Sequence, residues 1–183
     1  MIIVIGGVRS GKSSFAEHLA IERRIQRLVY IATSVPYDVE MKERMQRHKE
    51  IRLLSGQPWV TYEQAVNLQL LIPKLREDDV VLLDCVPTWL SNELFMDEKS
   101  YQQPLFQQQV YERMTQTLQQ INEAVHMLIV VSNDVFSNAE QFIDGTLPYM
   151  KTLGLLHQWS VQEAEAAYDI QFGQVNQKKE VNE

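Results

Sequence analysis

The chain alternates short, unbroken apolar runs with longer segments in which apolar residues return every three or four positions. Ile2 to Ile5, Leu28 to Ala32, Val80 to Leu83 and Leu128 to Val131 are runs of the first kind. A run with no polar side predicts a strand covered on both faces. Two weaker strands are expected at Val60 to Tyr62, behind Pro58, and at Tyr168 to Phe172. Helical patterns fill Ser13 to Arg24, Asp38 to Leu53, Glu63 to Leu75, Leu105 to Val125 and Leu147 to Ala167. Strands and helices in alternation predict βαβ crossovers and a mostly parallel sheet flanked by helices. No segment repeats, and the polar stretch Gln174 to Glu183 reads as a frayed tail. The expected organisation is one α/β domain over residues 1–173 and a polar tail over 174–183.

A chain of 183 residues can bury a core without disulfides or metals. Its single cysteine, Cys85, lies in the apolar run VVLLDCV, so it forms no internal disulfide and is expected to be a small core residue in a reducing compartment. The opening Met1 to Ile5 runs straight into glycines, without the basic flank or cleavage site of a secretory signal. No apolar run approaches the roughly 20 residues that span a bilayer. A cytoplasmic location without membrane insertion follows as an expectation. The net charge of −7 argues against nucleic acid as a partner. It leaves room for a small anion held by local amides and a few cations.

The first motif supplies such a place. Gly6-Gly7-Val8-Arg9-Ser10-Gly11-Lys12-Ser13, continued by Ser14, satisfies G-x-x-x-x-G-K-[ST] directly after a predicted strand and directly before a helical pattern. Glycines let the backbone curl so that successive amides face one anion, and the following helix adds its positive end. Lys12 would reach the outer phosphates of a nucleoside triphosphate, and the Ser13 hydroxyl would ligate Mg²⁺. The fold expected around this loop is P-loop NTPase-like (RecA-like). Phosphate loops of this type usually work with a carboxylate at the end of an apolar strand, and Val80 to Asp84 has that form. Asp84 is therefore the second candidate metal ligand. A helix or turn cap ahead of Pro87 is the alternative reading.

From Asp38 the chain reads DVEMKERMQRHKEIR, where Arg44, His48 and Arg52 recur every fourth residue and share one helical side. Met41 and Met45 precede His48 by seven and three residues, which places the imidazole at the margin of the apolar stripe. Two neighbouring cations and partial cover disfavour the protonated ring, leaving a neutral nucleophile near pH 7. A solvated basic face with a boundary histidine fits the same spacing.

The order of motifs decides between these readings. The chain resembles the bifunctional adenosylcobinamide kinase and adenosylcobinamide-phosphate guanylyltransferase family of cobalamin biosynthesis. The matching pieces are GGVRSGKSSFAE at Gly6 to Glu17, YIATS at Tyr30 to Ser34 and EMKERMQRHKEIR at Glu40 to Arg52. WVTYE at Trp59 to Glu63, LLDCVPTWLSNEL at Leu82 to Leu94 and VVSNDV at Val130 to Val135 complete the set. The resemblance implies a site for GTP, or ATP in the kinase step, with Mg²⁺. It also implies a small corrinoid substrate and a catalytic His48 that becomes guanylylated. By the same carry-over Ser34, Lys49, Arg52, Glu63 and Asp84 lie on segments that line the nucleotide site. A homo-oligomer is implied as well. A kinase or NTPase for another small molecule, and a nucleotide-binding protein without catalysis, are the alternatives.

The chain departs from the family's pattern after Asp134. Members continue with a glycine-rich VGxGIVP loop and a stretch resembling RxFxDxxGxxNQ, whereas this chain has Val135-Phe136-Ser137-Asn138-Ala139-Glu140. The family's closing strand and glycine-proline turn survive as Tyr168-Asp169-Ile170-Gln171-Phe172-Gly173. His157 reads as a residue of a helix surface or an interface.

Overall fold

In a computed structural model, the described residues are 1–35, 39–97, 99–134 and 145–180, less the side chains of residues 39–41, 44, 45, 47, 48 and 51. One sheet of seven strands runs through the domain: β1 (Ile2–Gly6), β2 (Arg27–Ala32), β3 (Trp59–Glu63), β4 (Asp79–Asp84), β5 (Met127–Asn133), β6 (Ala166–Gln171) and β7 (Gln174–Lys179). Their spatial order is β3-β2-β4-β5-β1-β6-β7, and all neighbours are parallel except β6 and β7. The strand of the phosphate loop and the strand ending in Asp84 are thus separated by β5, the arrangement expected of a RecA-like P-loop domain.

Strand alternation divides the core between two faces of the sheet. Ile2, Val4, Leu28, Tyr30, Leu82 and Val131 face α1 (Lys12–Glu22), which contributes Ala16, Leu19 and Ala20. Ile3, Val29, Ile31, Val81, Leu83 and Val130 face α3 (Val86–Leu94), α4 (Pro104–Ala124) and α5 (Thr146–Glu163). The remaining helix, α2 (Val39–Leu54), follows β2 and meets the α1 face through Arg52. Burial of apolar side chains on both faces is what continuous apolar strands require.

The structure differs from these expectations in four places. The helix expected at Glu63 to Leu75 is instead the end of β3 followed by a 3₁₀ turn at Leu68–Lys74. Asn67 sits at φ 55°, outside the helical region, and Pro73 supplies no backbone donor, so an α-helix cannot run through the segment. An additional helix, α3, starts just after Asp84 with Pro87 in its first turn, where a missing N–H costs nothing. Trp89, Leu90 and Leu94 bury its apolar side. The tail expected to fray forms β7 over its first six residues, Gln174–Lys179. Without it β6 would be an exposed edge, and the Lys179 ammonium adds hydrogen bonds to the carbonyls of Val161 and Gln162 at the end of α5. The helix read as reaching Ala167 stops at Glu163, because Ala166 onward is needed as the sixth strand.

Candidate nucleotide site

All but one of the strands are parallel, so their carboxyl ends form one rim, and ligands of such sheets bind above that rim. Gly6 closes β1 there, between Asn133 of β5 and Ile170 of β6. Ala32, near the end of β2, stands in register with Asp84 on one side and Glu63 on the other. Sequence-distant residues 6–14, 63 and 84 therefore share one edge.

The phosphate loop is shaped by contacts that tolerate little change. A Cβ at Gly6 would lie 2.5 Å from the Ile170 carbonyl oxygen and 2.6 Å from Ser10 Oγ, distances no side chain occupies. Arg9 and Gly11 have φ of 60° and 94°, the left-handed conformations that turn successive amides inward. Gly7 has open space where its Cβ would be, whereas Val8 and Arg9 project into solvent. Ser10 is buried, and its hydroxyl has no hydrogen-bond partner among the described residues. A buried hydroxyl of this kind is normally satisfied, so an uncommitted donor inside the loop suits an anionic ligand. The Lys12 side chain is buried and its ammonium donates to the Gly7 carbonyl oxygen at 3.1 Å, curling over the loop it belongs to. Ser13, half-buried, and Ser14, exposed, open α1 with their amides at its positive end.

Asp84 ends β4, and α1 packs across β4 and β5, bringing the Ser13 turn over this carboxylate's side of the sheet. Its Oδ2 accepts a hydrogen bond from Tyr30 Oη at 2.9 Å, and no cation pairs with it among the described residues. The peptide N–H after it, on Cys85, donates to Thr33 Oγ1, while the Thr33 hydroxyl donates to the Cys85 carbonyl. These bonds tie the end of β4 to the loop leaving β2. The described residues contain no cluster of three or more His, Cys, Asp or Glu able to hold a metal. Magnesium does not need one, because it keeps several waters and is bound by one or two protein ligands plus phosphate oxygens. The donors here, one carboxylate and one hydroxyl at the lip of a phosphate loop, fit that ion.

Arg52 links the basic helix to the core. It is 6% exposed, lies 3.6 Å above the Tyr30 ring centroid and approaches Glu17 Oε1 at 3.5 Å through Nη1. Burial raises the Glu17 pKa, with Arg52 opposing the rise and Asp84 adding to it. The Tyr30 phenol is pushed far above its ordinary range by burial and by Asp84. Glu17, Arg52, Tyr30 and Asp84 thus form a continuous chain from α1 through α2 to the end of β4. Arg52 and Asp84 are candidates legible in the sequence; Tyr30 and Glu17 are not, although both lie inside segments that carry the resemblance.

Of the remaining candidates, Ser34 is half-buried just beyond β2, while Glu63 at the end of β3 and Lys49 on α2 are exposed. His48 lies on α2 one helical turn before Arg52, and its side chain, like those of Arg44 and Met45, is outside the described residues. Val135 to Glu140, where the chain leaves the family's pattern, is outside them too. Cys85 is buried, and burial pushes its thiol pKa up. His157, expected at a helix surface or an interface, is half-buried, with Nε2 2.6 Å from the fully buried Ser132 Oγ of β5, and burial lowers its pKa despite the opposing charge of Asp134. No helix among the described residues is long and apolar enough to cross a membrane.

Comparison with known proteins gives this site a lineage. Residues 2–177 match the family model described as cobinamide kinase / cobinamide phosphate guanyltransferase, CobU. The bifunctional adenosylcobalamin biosynthesis protein CobU of Salmonella typhimurium is 44% identical over 98 residues, covering 52% of this chain and 50% of that protein. Its Escherichia coli namesake is 42% identical over the same extent. The bifunctional adenosylcobalamin biosynthesis protein CobP of Pseudomonas aeruginosa is 29% identical over 164 residues, 89% of this chain and 88% of that one. The chain spans about half the length of the first two relatives it matches. A family model that covers nearly the whole chain, over a sheet and phosphate loop of the form just described, means that the chain belongs to the cobinamide kinase / cobinamide phosphate guanyltransferase family.

Proposed function

We propose that this protein is a bifunctional enzyme of cobalamin biosynthesis that phosphorylates adenosylcobinamide and then transfers GMP from GTP to adenosylcobinamide phosphate. The observation that carries the reading is the phosphate loop, with a buried Lys12, an uncommitted Ser10 hydroxyl and Asp84 across β5. In the kinase step the aminopropanol hydroxyl of the corrinoid attacks the γ-phosphorus of GTP or ATP. The bond to the β-phosphate oxygen breaks, the nucleoside diphosphate leaves, and the hydroxyl proton passes to solvent. The loop amides of residues 7–13 and Lys12 hold the polyphosphate and offset the charge on the transferring group. Ser13 and Asp84 would hold Mg²⁺, which when bound neutralises charge on the outer phosphates.

In the second step a nitrogen of His48 attacks the α-phosphorus of GTP and pyrophosphate leaves. A phosphate oxygen of the corrinoid then attacks the same phosphorus, the P–N bond breaks and the imidazole is restored. One hard displacement becomes two easier ones. Arg52 is a positioning residue, since its contacts with Glu17 and Tyr30 fasten the helix that carries His48. Ser34, Lys49 and Glu63 complete the nucleotide surface in this reading, and the domain, which extends through β7 to Lys179, works as a cytoplasmic homo-oligomer. Light scattering that returned a monomer at working concentration would remove the last point.

The direct test is incubation with α-labelled GTP and Mg²⁺. Acid-labile, base-stable label on the wild-type chain and none on His48→Ala is the expected result. Full labelling of His48→Ala would overturn the assignment. Turnover of an unrelated alcohol, with adenosylcobinamide left untouched, would overturn the substrate.

A further inference from the structure

The hairpin that joins β6 to β7 turns on Phe172 and Gly173, with φ of 51° and 76°. Positive φ at both central residues is the geometry of a type I′ hairpin, where Asn-Gly and Gly-Gly are the favoured pairs. A bulky aromatic is an outlier at that position. The Phe172 side chain is also 98% exposed, the highest exposure of any large apolar residue among those described. It packs nothing, so no gain in core burial offsets the unfavourable backbone. Strain retained without a structural return is a pointer to function.

The hairpin's place gives the function a direction. Gly173 N–H donates to the Ser10 carbonyl at 3.1 Å, and Gly173 Cα stands 4.0 Å from where a Cβ on Gly11 would be. The turn is therefore bonded to the phosphate loop itself. Below it Tyr168 meets Phe15 of α1 edge to face, with centroids 5.1 Å apart, which holds the hairpin against the start of the helix. Asp84 and α2 lie on the opposite side of the loop, toward β4 and β2. A nucleotide whose outer phosphates point toward Asp84 directs its base the other way, over β6.

We infer that Phe172 is a base-stacking residue, whose ring covers the purine of the nucleotide held by the loop, an inference that rests on the nucleotide reading above. Every base has a π-face, so this contact supplies affinity for purine nucleotides as a class without hydrogen-bonded discrimination between guanine and adenine. One aromatic surface would then serve both GTP and ATP.

Affinities for GTP and for inorganic tripolyphosphate, measured by calorimetry with Mg²⁺, separate the two ideas. Phe172→Ala should bind GTP about 10-fold more weakly, within the range of one lost stack, and bind tripolyphosphate as the wild type does. Phe172→Tyr should restore GTP affinity. Phe172→Trp should show, relative to wild type, an added indole emission that GTP quenches and tripolyphosphate does not. Unchanged GTP affinity in Phe172→Ala, or an indole blind to GTP, overturns the stacking role while leaving the loop intact. Equal loss for both ligands in Phe172→Ala overturns it also, since the turn would then act only as a brace for the loop. A wild-type chain that binds neither ligand overturns the nucleotide reading itself.

Discussion

Removing Arg52 should unfasten the basic helix, and the structure sets the size of the effect. Its guanidinium is buried between a carboxylate 3.5 Å away and an aromatic ring 3.6 Å away. At that separation and an effective dielectric of about 20, the gross attraction to Glu17 is about 5 kcal/mol. Most of it repays the desolvation of two buried charges, so the pair is not a large net stabiliser. The asymmetry appears when one partner is deleted. Arg52→Ala leaves Glu17 in a site where burial already raises its pKa, and loses the contact over Tyr30. A loss of about 3 kcal/mol is expected, capped because Glu17 can take up a proton. For a chain of this size that lowers Tm by roughly 6–12 °C. Glu17→Gln alone should cost only about 1 kcal/mol, since the amide still accepts from Arg52. The double variant should fall short of the sum by about 2 kcal/mol in urea denaturation, the coupling of a close buried pair. Arg52→Lys keeps the charge but not the planar stack, and should lie between wild type and Arg52→Ala. Additivity to within about 0.5 kcal/mol would refute the claim that this pair fastens α2 to α1.

Three further outcomes follow from the same geometry. Lys12→Ala should lower kinase and guanylyl-transfer rates together, by about 10²-fold or more, because in the proposed function both steps use one cradle; wild-type rates would dismiss the loop's role. Gly6→Ala should cost about 1–3 kcal/mol and weaken GTP binding, because its Cβ meets a strand carbonyl that cannot move aside; an unchanged denaturation midpoint would contradict the packing described. His157 has its folded pKa below the ordinary 6.5, so the native state binds fewer protons than the unfolded state in that window. Stability should therefore fall as pH drops from about 6.5 through the folded value, and His157→Asn should flatten this part of the profile; parallel profiles for the two proteins would show that the ring is not sequestered.

Much of the fold could be read from the chain because its determinants are local or periodic. The four continuous apolar strands announce themselves since both faces are covered, and the phosphate loop does so because its glycines, Lys12 and Ser13 are contiguous. What stayed illegible depends on partners distant in sequence. The segment Gln174–Lys179 looks like a polar tail until β6 needs a neighbour. Pro87 reads as a turn signal, yet it starts a helix whose apolar side is recognised only when β4 and β5 stand beneath it. Tyr30 belongs to a strand by every local rule, and its link between Arg52 and Asp84 exists only because β2 and β4 are adjacent. His157 gave no signal at all, because a histidine that hydrogen-bonds a buried serine has the same spacing on a helix as one in water.

Most segments that keep the family's pattern lie on the phosphate loop and toward β4 and β2, although Val130 to Asp134, at the end of β5, keeps it too. Asp84, Arg52 and the helix that carries His48 lie toward β4 and β2, where the proposed transfer steps would demand fixed charges. His157 contacts β5, and Phe172 tops the hairpin beyond β1. Transfer chemistry constrains a few atoms to tenths of an ångström, whereas recognition of a base or a large acceptor can be rebuilt from any surface of the right shape. A phosphate loop kept while Val135 to Glu140 leaves the pattern is therefore what a chain would accumulate if it kept the reaction and altered the grip on its substrates. In that case, Phe172→Ala should raise KM for nucleotide and leave kcat nearly as it was. A fall in kcat at constant KM would instead place Phe172 among the groups that hold the transition state.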